Sequence, residues 1–308
     1  MFNGHVETIL PSALRKITDV TYQRERLELP DGDFLDLDWL RNGASSLMII
    51  SHGLEGSSER HYSKGMARYF YQRGWDALAW NCRGCSGEIN RLPRFYHHGA
   101  TEDLKAVIDH ALSAGCYKTI VLVGVSMGGS LTLKYLGENS HHVPAAISAG
   151  VTFSVPCHLG SSARELDKPS KRFYLNRFLK KLGKKIRTKA ARYPGSVSTE
   201  GFEKIRSFEE FDNRYTAPLH GFLNAADFYQ KAASLPHIPH IAVPVLIVNA
   251  LNDPFLPEEC YPYDIARSHE CVYLETPERG GHTGFSLQGR IENWMEVRAW
   301  EFGVERMR

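Results

Sequence analysis

The sequence predicts an α/β protein, a single sheet-centred core interrupted once by a helical insertion. Three observations carry this expectation. Short apolar stretches alternate with longer segments of helical periodicity through most of the 308 residues. Several of the short stretches, among them 46–51 (SLMIIS), 76–81 (DALAWN) and 119–124 (TIVLVG), are largely apolar throughout, as strands covered on both faces are. Between residues 156 and 239 the alternation stops in favour of long charged helical segments, and beyond them it resumes.

The elements follow in order. Residues 20–29 and 34–40 alternate apolar with polar side chains, as half-exposed strands do, and Pro30-Asp31-Gly32-Asp33 between them reads as a hairpin turn. After the strand 46–51 comes a helix over 58–73, with Met66, Tyr69 and Phe70 at helical spacing. The strand 76–81, a helix over 103–114, the strand 119–124, a helix over 127–138 and a strand over 145–155 complete the first half. The second half reads as a strand over 243–251, a helix over 258–267, a strand over 271–275 and a closing helix around 290–300. The expected division is a core of residues 1–155 and 240–308 with an insertion of 156–239.

Composition narrows the function classes. Lys+Arg 37 against Asp+Glu 35 leaves a net charge of +2, too balanced for a general nucleic-acid binder. The longest apolar runs, 119–124 and 241–251, are too short to span a bilayer. Residues 1–16 lack the basic, apolar and cleavable regions of a secretory signal, and the six cysteines read as free thiols. The expected location is the cytoplasm.

Directly after the strand 119–124 stand Gly124-Val125-Ser126-Met127-Gly128-Gly129, followed by a helical pattern. This is G-x-S-x-G in the strand–turn–helix setting that its chemistry requires. The glycines let the backbone pass closely at a turn too sharp for larger neighbours. The turn presents the serine oxygen at the carboxyl end of the sheet, and the helix behind it offers free N–H groups to a developing oxyanion. A serine also needs a base, and the base a third group to hold it. Asp253 follows the strand 243–251, and His282 stands in the loop Arg279-Gly280-Gly281-His282-Thr283-Gly284 after the strand 271–275. Among the 14 histidines only His282 has this position. Glu258, Glu259 and Asp264 fall within the next helix, so Asp253 is the expected acid; its competing role is N-cap of that helix. Two backbone donors are expected to hold the oxyanion: the N–H of Met127 and, from the loop Ser51-His52-Gly53-Leu54-Glu55-Gly56, that of Leu54. His52 is read as a brace for this loop.

The segments HGLEGSSER, NCRGCSGE, GVSMGG, ALNDPFLP and GGHTGF, in this order and at these separations, resemble the α/β-hydrolase superfamily. NGHVETILP, RFYHHGATEDL and FDNRYTAPLHGF resemble its YheT-like branch, so the likeness covers nearly the whole chain. It implies an eight-stranded, mostly parallel sheet with a helical cap after the sixth strand. It also implies carboxylic-ester hydrolysis through an acyl-serine intermediate, with Ser126, Asp253 and His282 as the triad. Short-chain or monoacylglycerol-type esters, and in some members acyl transfer to an alcohol, belong to the same implication.

Other signals are weaker. Cys82-Arg83-Gly84-Cys85 has no second C-x-x-C to complete a zinc site and fits a turn. His98 and Asp103 match H-x-x-x-x-D, a pattern of some acyltransferases, but an aspartate at a helix start is favoured whatever the function. Residues 168–192 form a basic amphipathic helix. Packing on the core, with solvated charges offset by Glu203, Glu209, Glu210 and Asp212, is preferred to contact with an anionic membrane. On that reading, charge reversal at Lys180, Lys181, Lys184 and Lys185 leaves activity nearly unchanged. The expectation is therefore a serine carboxylesterase acting on a small-molecule ester, with no metal or organic cofactor. Its rivals are an alcohol acyltransferase with the same triad and a non-catalytic binding protein on the same scaffold.

Overall fold

A computed structural model describes residues 3–305; Met1 and Phe2 of the N-terminal segment lie outside it. The strands are β1 (Gln23–Glu28), β2 (Phe34–Leu40), β3 (Ser46–Ser51), β4 (Asp76–Asn81), β5 (Thr119–Val125), β6 (Ile147–Phe153), β7 (Val245–Val248) and β8 (Val272–Glu275). They form one eight-stranded sheet in the order β1-β2-β4-β3-β5-β6-β7-β8. The β1–β2 and β2–β4 pairs are antiparallel, and every later pair is parallel.

The period of two along each strand divides the core between the faces of the sheet. Leu47, Ile49, Leu78, Trp80 and Leu122 face one side, together with apolar residues of α3 (Thr101–Ser113) and α4 (Met127–Glu138). Met48, Ile50, Ala77, Ala79 and Val123 face the other, against α2 (His61–Tyr71) and the closing helix Trp294–Gly303. This is why the central strands carry no polar alternation. The edge strand β1 does alternate, and its Arg24 and Arg26 pair with Asp38 and Asp36 of β2 at 2.8 Å.

Several boundaries differ from the sequence expectation for local reasons. The helix expected over 258–267 is split: Pro262 cannot donate an N–H, so a 3₁₀ turn at Glu258–Cys260 stops there and a short helix, Tyr263–Ser268, begins afresh. The closing helix starts at Trp294 because Asn293 and Glu296 form a capping box. An unexpected helix, α1 (Gly4–Leu14), opens the described chain, with the Asn3 side chain accepting from the His5 N–H.

Between β6 and β7 the chain runs through helices α5 (Leu159–Asp167), α6 (Arg172–Arg192), α7 (Phe208–Phe211), α8 (Ala217–Leu219) and α9 (Ala225–Ala232), with a π-helical turn at Asp212–Thr216. The apolar stripe of α6, Leu175, Leu179, Leu182 and Ile186, is buried as expected. The expectation of solvated charges fails for four lysines. Lys171 pairs with Glu165, Lys185 with Glu55, Lys181 donates to the Glu55 carbonyl, and buried Lys189 donates to the carbonyls of Asn90 and Leu92. Glu203, Glu209 and Glu210 make no ion pair with α6 among the described residues, and Asp212 is buried elsewhere. Charge reversal at Lys181 and Lys185 would therefore act on the loop carrying Leu54, so it would not be silent. No described helix is long and apolar enough to cross a membrane.

Candidate active site

Ser126 sits where β5 turns into α4, with φ 56° and ψ −119°, a backbone conformation that non-glycine residues rarely adopt. The turn is possible because its neighbours lack side chains. A Cβ at Gly124 would lie 2.5 Å from the Gly128 carbonyl oxygen, and one at Gly128 would lie 2.1 Å from that of Ser51. This close approach of α4 to β3 fixes the serine at the carboxyl end of the central strands.

His282 Nε2 stands 2.9 Å from Ser126 Oγ, and His282 Nδ1 stands 2.9 Å from Asp253 Oδ2. The Asp253 side chain is fully buried, and its other oxygen also accepts from the Phe255 N–H. Asp253 lies in the loop after β7 and caps no helix, because the next helical turn begins only at Glu258. Glu258, Glu259 and Asp264 are exposed. Phe255 stacks on the imidazole at 4.1 Å between ring centroids, so the ring's face is covered and its two nitrogens are aimed.

Met127 follows Ser126 in the chain, and Leu54 lines the same cavity as Ser126. The N–H groups of Leu54 and Met127 have no acceptor among the described residues, whereas those flanking Leu54 are taken: Gly53 donates to Tyr62 Oη and Glu55 to Tyr96 Oη. Tyr96 Oη in turn donates to Glu55 Oε1 at 2.6 Å, and Lys185 holds the same carboxylate at 2.7 Å. His52 braces the loop as expected, Nδ1 against the Gly53 carbonyl and Nε2 accepting from the Cys82 N–H.

The N-terminal helix locks the loops of the acid and the base together. Glu7 accepts from Asn252, Arg279 and the Gly280 N–H, and Thr8 Oγ1 accepts from the His282 N–H at 2.8 Å. Gly4 packs so closely that a Cβ there would lie 1.9 Å from the Asn252 carbonyl oxygen. The residues alone do not disclose these roles, although NGHVETILP is among the segments that carry the resemblance. Helical spacing alone places no contact between residues some 250 positions apart.

The weaker motifs resolve as structure. Cys85 N–H donates to the Cys82 carbonyl across a turn with Gly84 at φ 70°, and all six cysteines are free. Asp103 binds Arg83, not His98. His98 instead lines a cavity that starts at Ser126 and runs beneath α5, α7 and α9 among Leu159, Leu166, Phe208 and Phe228.

Residues 46–287 match the family described as alpha/beta hydrolase fold. The chain belongs to that family. It is 33% identical to YheT of Escherichia coli (strain K12) over 95% of this chain and 90% of the relative. It is 30% identical to Phospholipase ABHD3 of Homo sapiens over 94% of this chain and 72% of that one, and 28% identical to a Monoacylglycerol lipase of Saccharomyces cerevisiae over 86% and 59%. The solved Pyrococcus furiosus esterase Pf2001 superposes with a TM-score of 0.63 at 18% identity, covering 95% of this chain and 96% of that one, a likeness of fold. Taken with these relatives, this α/β hydrolase is an enzyme of the esterase and lipase type.

One buried acid in the cavity sets a pH dependence of stability. Asp212 accepts from Thr216 Oγ1 and Tyr229 Oη, yet burial pushes its carboxyl up to about 7. Between about pH 4 and pH 7 the folded protein keeps a proton that the unfolded chain has lost, so this group lowers stability as pH rises, by up to about 4 kcal/mol. Asp212→Asn should melt above the parent at pH 8, and the two should converge near pH 4. A constant difference in melting temperature across this range would contradict the assignment.

Proposed function

We propose that the protein hydrolyses carboxylic esters through an acyl-serine intermediate. Ser126 attacks the ester carbonyl while His282 takes its proton, and Asp253 keeps Nδ1 protonated and stabilises the imidazolium. The N–H groups of Leu54 and Met127 hold the oxyanion, each worth about 3 kcal/mol in the transition state. The imidazolium then protonates the leaving alcohol, and water enters with His282 again as base. The observation that carries this reading is the continuous hydrogen-bonded path from Asp253 through His282 to Ser126, beside two backbone donors with no partner among the described residues.

In this reading residues 156–239 are a cap over the core of 1–155 and 240–308, and the apolar cavity beneath it takes a short- to medium-chain acyl group. The test is labelling with a fluorophosphonate, followed by rates on p-nitrophenyl esters of increasing chain length. A single adduct on Ser126 and a maximum at short to medium chains are expected. An adduct elsewhere, or none, would remove the mechanism; a rate rising without limit of length would remove the acyl assignment.

A further inference from the structure

A second compartment meets the acyl cavity at Leu54, Ser126, Phe178, Phe255 and His282. Its lining is also mainly apolar, but it carries charge. Arg60, Arg177 and Lys181 line it, and among the described residues none of the three forms an ion pair. Arg60 Nη2 donates to Ser12 Oγ at 2.9 Å and Lys181 Nζ to the Glu55 carbonyl at 2.9 Å, both neutral acceptors.

The surrounding carboxylates are engaged elsewhere: Glu55 with Lys185, Glu59 with Lys64, Glu7 with Arg279, and Asp253 with His282. Burial and then the charges of Arg60, Arg177 and Lys185 hold the Lys181 ammonium below its usual range, with only Glu55 opposing them. Arg177 is exposed, and Arg60 and Lys181 are partly buried. Three like charges lining one compartment raise one another's energy unless an anion joins them. The acyl cavity, by contrast, has no lysine or arginine in its lining. The two sides of the scissile bond therefore face different chemistry.

We propose that this compartment binds a phosphoryl group carried by the leaving alcohol, held by Arg60, Arg177 and Lys181. Two guanidiniums and an ammonium exceed the single charge of a carboxylate and match a phosphate, to which arginine presents paired donors. The proposal rests on the acyl-serine reading of the same site and adds its leaving-group specificity. The bond broken is the carboxylic ester. The departing alkoxide takes its proton from His282 and leaves with its phosphate intact.

The test compares three soluble esters: 1-hexanoylglycerol, 1-hexanoylglycerol 3-phosphate and 1-hexanoylglycero-3-phosphocholine, with hexanoate measured by chromatography. At low ionic strength the phosphate ester should exceed the neutral one in kcat/KM by at least about tenfold. This ratio should fall as salt shortens the screening length, and collapse toward one in Arg177→Gln/Lys181→Gln. A phosphocholine ester as good as the monoester would identify a diester headgroup as the ligand; a preference for the monoester alone would identify a terminal phosphate monoester. A ratio of one in the parent, or one unmoved by the double substitution, would overturn the proposal while leaving ester hydrolysis standing. Should no ester be cleaved, calorimetry of 1-hexanoylglycerol 3-phosphate with Ser126→Ala still decides it, since absence of binding there would sink the proposal on its own.

Discussion

Ser126→Ala should eliminate fluorophosphonate labelling and lower ester hydrolysis by at least about 10⁴-fold, leaving the fold intact. The alanine keeps the Cβ that the turn already accommodates and removes only the oxygen 2.9 Å from His282 Nε2. His282→Ala should be comparably damaging, because without the imidazole Oγ keeps its proton. Asp253→Asn acts more indirectly. Its amide can donate to His282 Nδ1, which would favour the tautomer with the proton on Nε2, pointing at the serine and unable to accept. In the proposed mechanism the three groups act as one unit, so the double variant Ser126→Ala/His282→Ala should be little worse than either single one. Steady-state kinetics on one p-nitrophenyl ester measures all of these. Losses that multiply in the double variant would mean that the residues contribute independently, against a shared proton path.

Much of this arrangement was legible in the sequence, and the reason is local. The strands β3 and β4 match their expected bounds because largely apolar runs between turn residues admit few other readings. The strand β2 matches through its alternation, although it is buried along its whole length and not half-exposed, its Asp36 and Asp38 being paired with Arg26 and Arg24. Ser126, Asp253 and His282, picked out by position after strands, are brought within hydrogen-bond reach of one another. What remained hidden was whatever depends on long-range docking. Glu7 and Thr8 look like ordinary helix residues until α1 is seen against the loops 249–254 and 279–284. Lys185 and Lys189 share a charged face with Lys184 by composition, yet packing turns the first two inward and leaves the third exposed. A hydrophobicity pattern cannot tell a solvated lysine from one whose stem is buried and whose ammonium finds a carboxylate or a carbonyl.

Arg83→Met should destabilise the protein by about 3–5 kcal/mol, and the loss should shrink in acid. The guanidinium is buried and holds Asp33 at 2.9 Å and Asp103 at 2.7 Å, both themselves buried, along with the more exposed Asp31 at 2.8 Å. Methionine replaces most of the volume without the charge, leaving two buried carboxylates that lack their counter-ion. Asp33 keeps donors in Asn90 and the Arg91 N–H, but among the described residues every hydrogen bond to the Asp103 carboxylate comes from Arg83. Burial already raises the Asp103 carboxyl above its ordinary value against the pull of Arg83. Without that pull it rises further, so the folded variant binds a proton more readily than the unfolded chain does. The variant should therefore lose stability as pH climbs, with its largest deficit above neutrality and its smallest near pH 4. Adding Asp103→Asn to Arg83→Met should restore part of the loss at neutral pH, since it removes the carboxylate with no other partner. Denaturant unfolding at three pH values measures both effects. A deficit that is flat with pH, or untouched by Asp103→Asn, would mean that Arg83 stabilises by packing its stem, with the tie between the β1–β2 turn and the start of α3 contributing little.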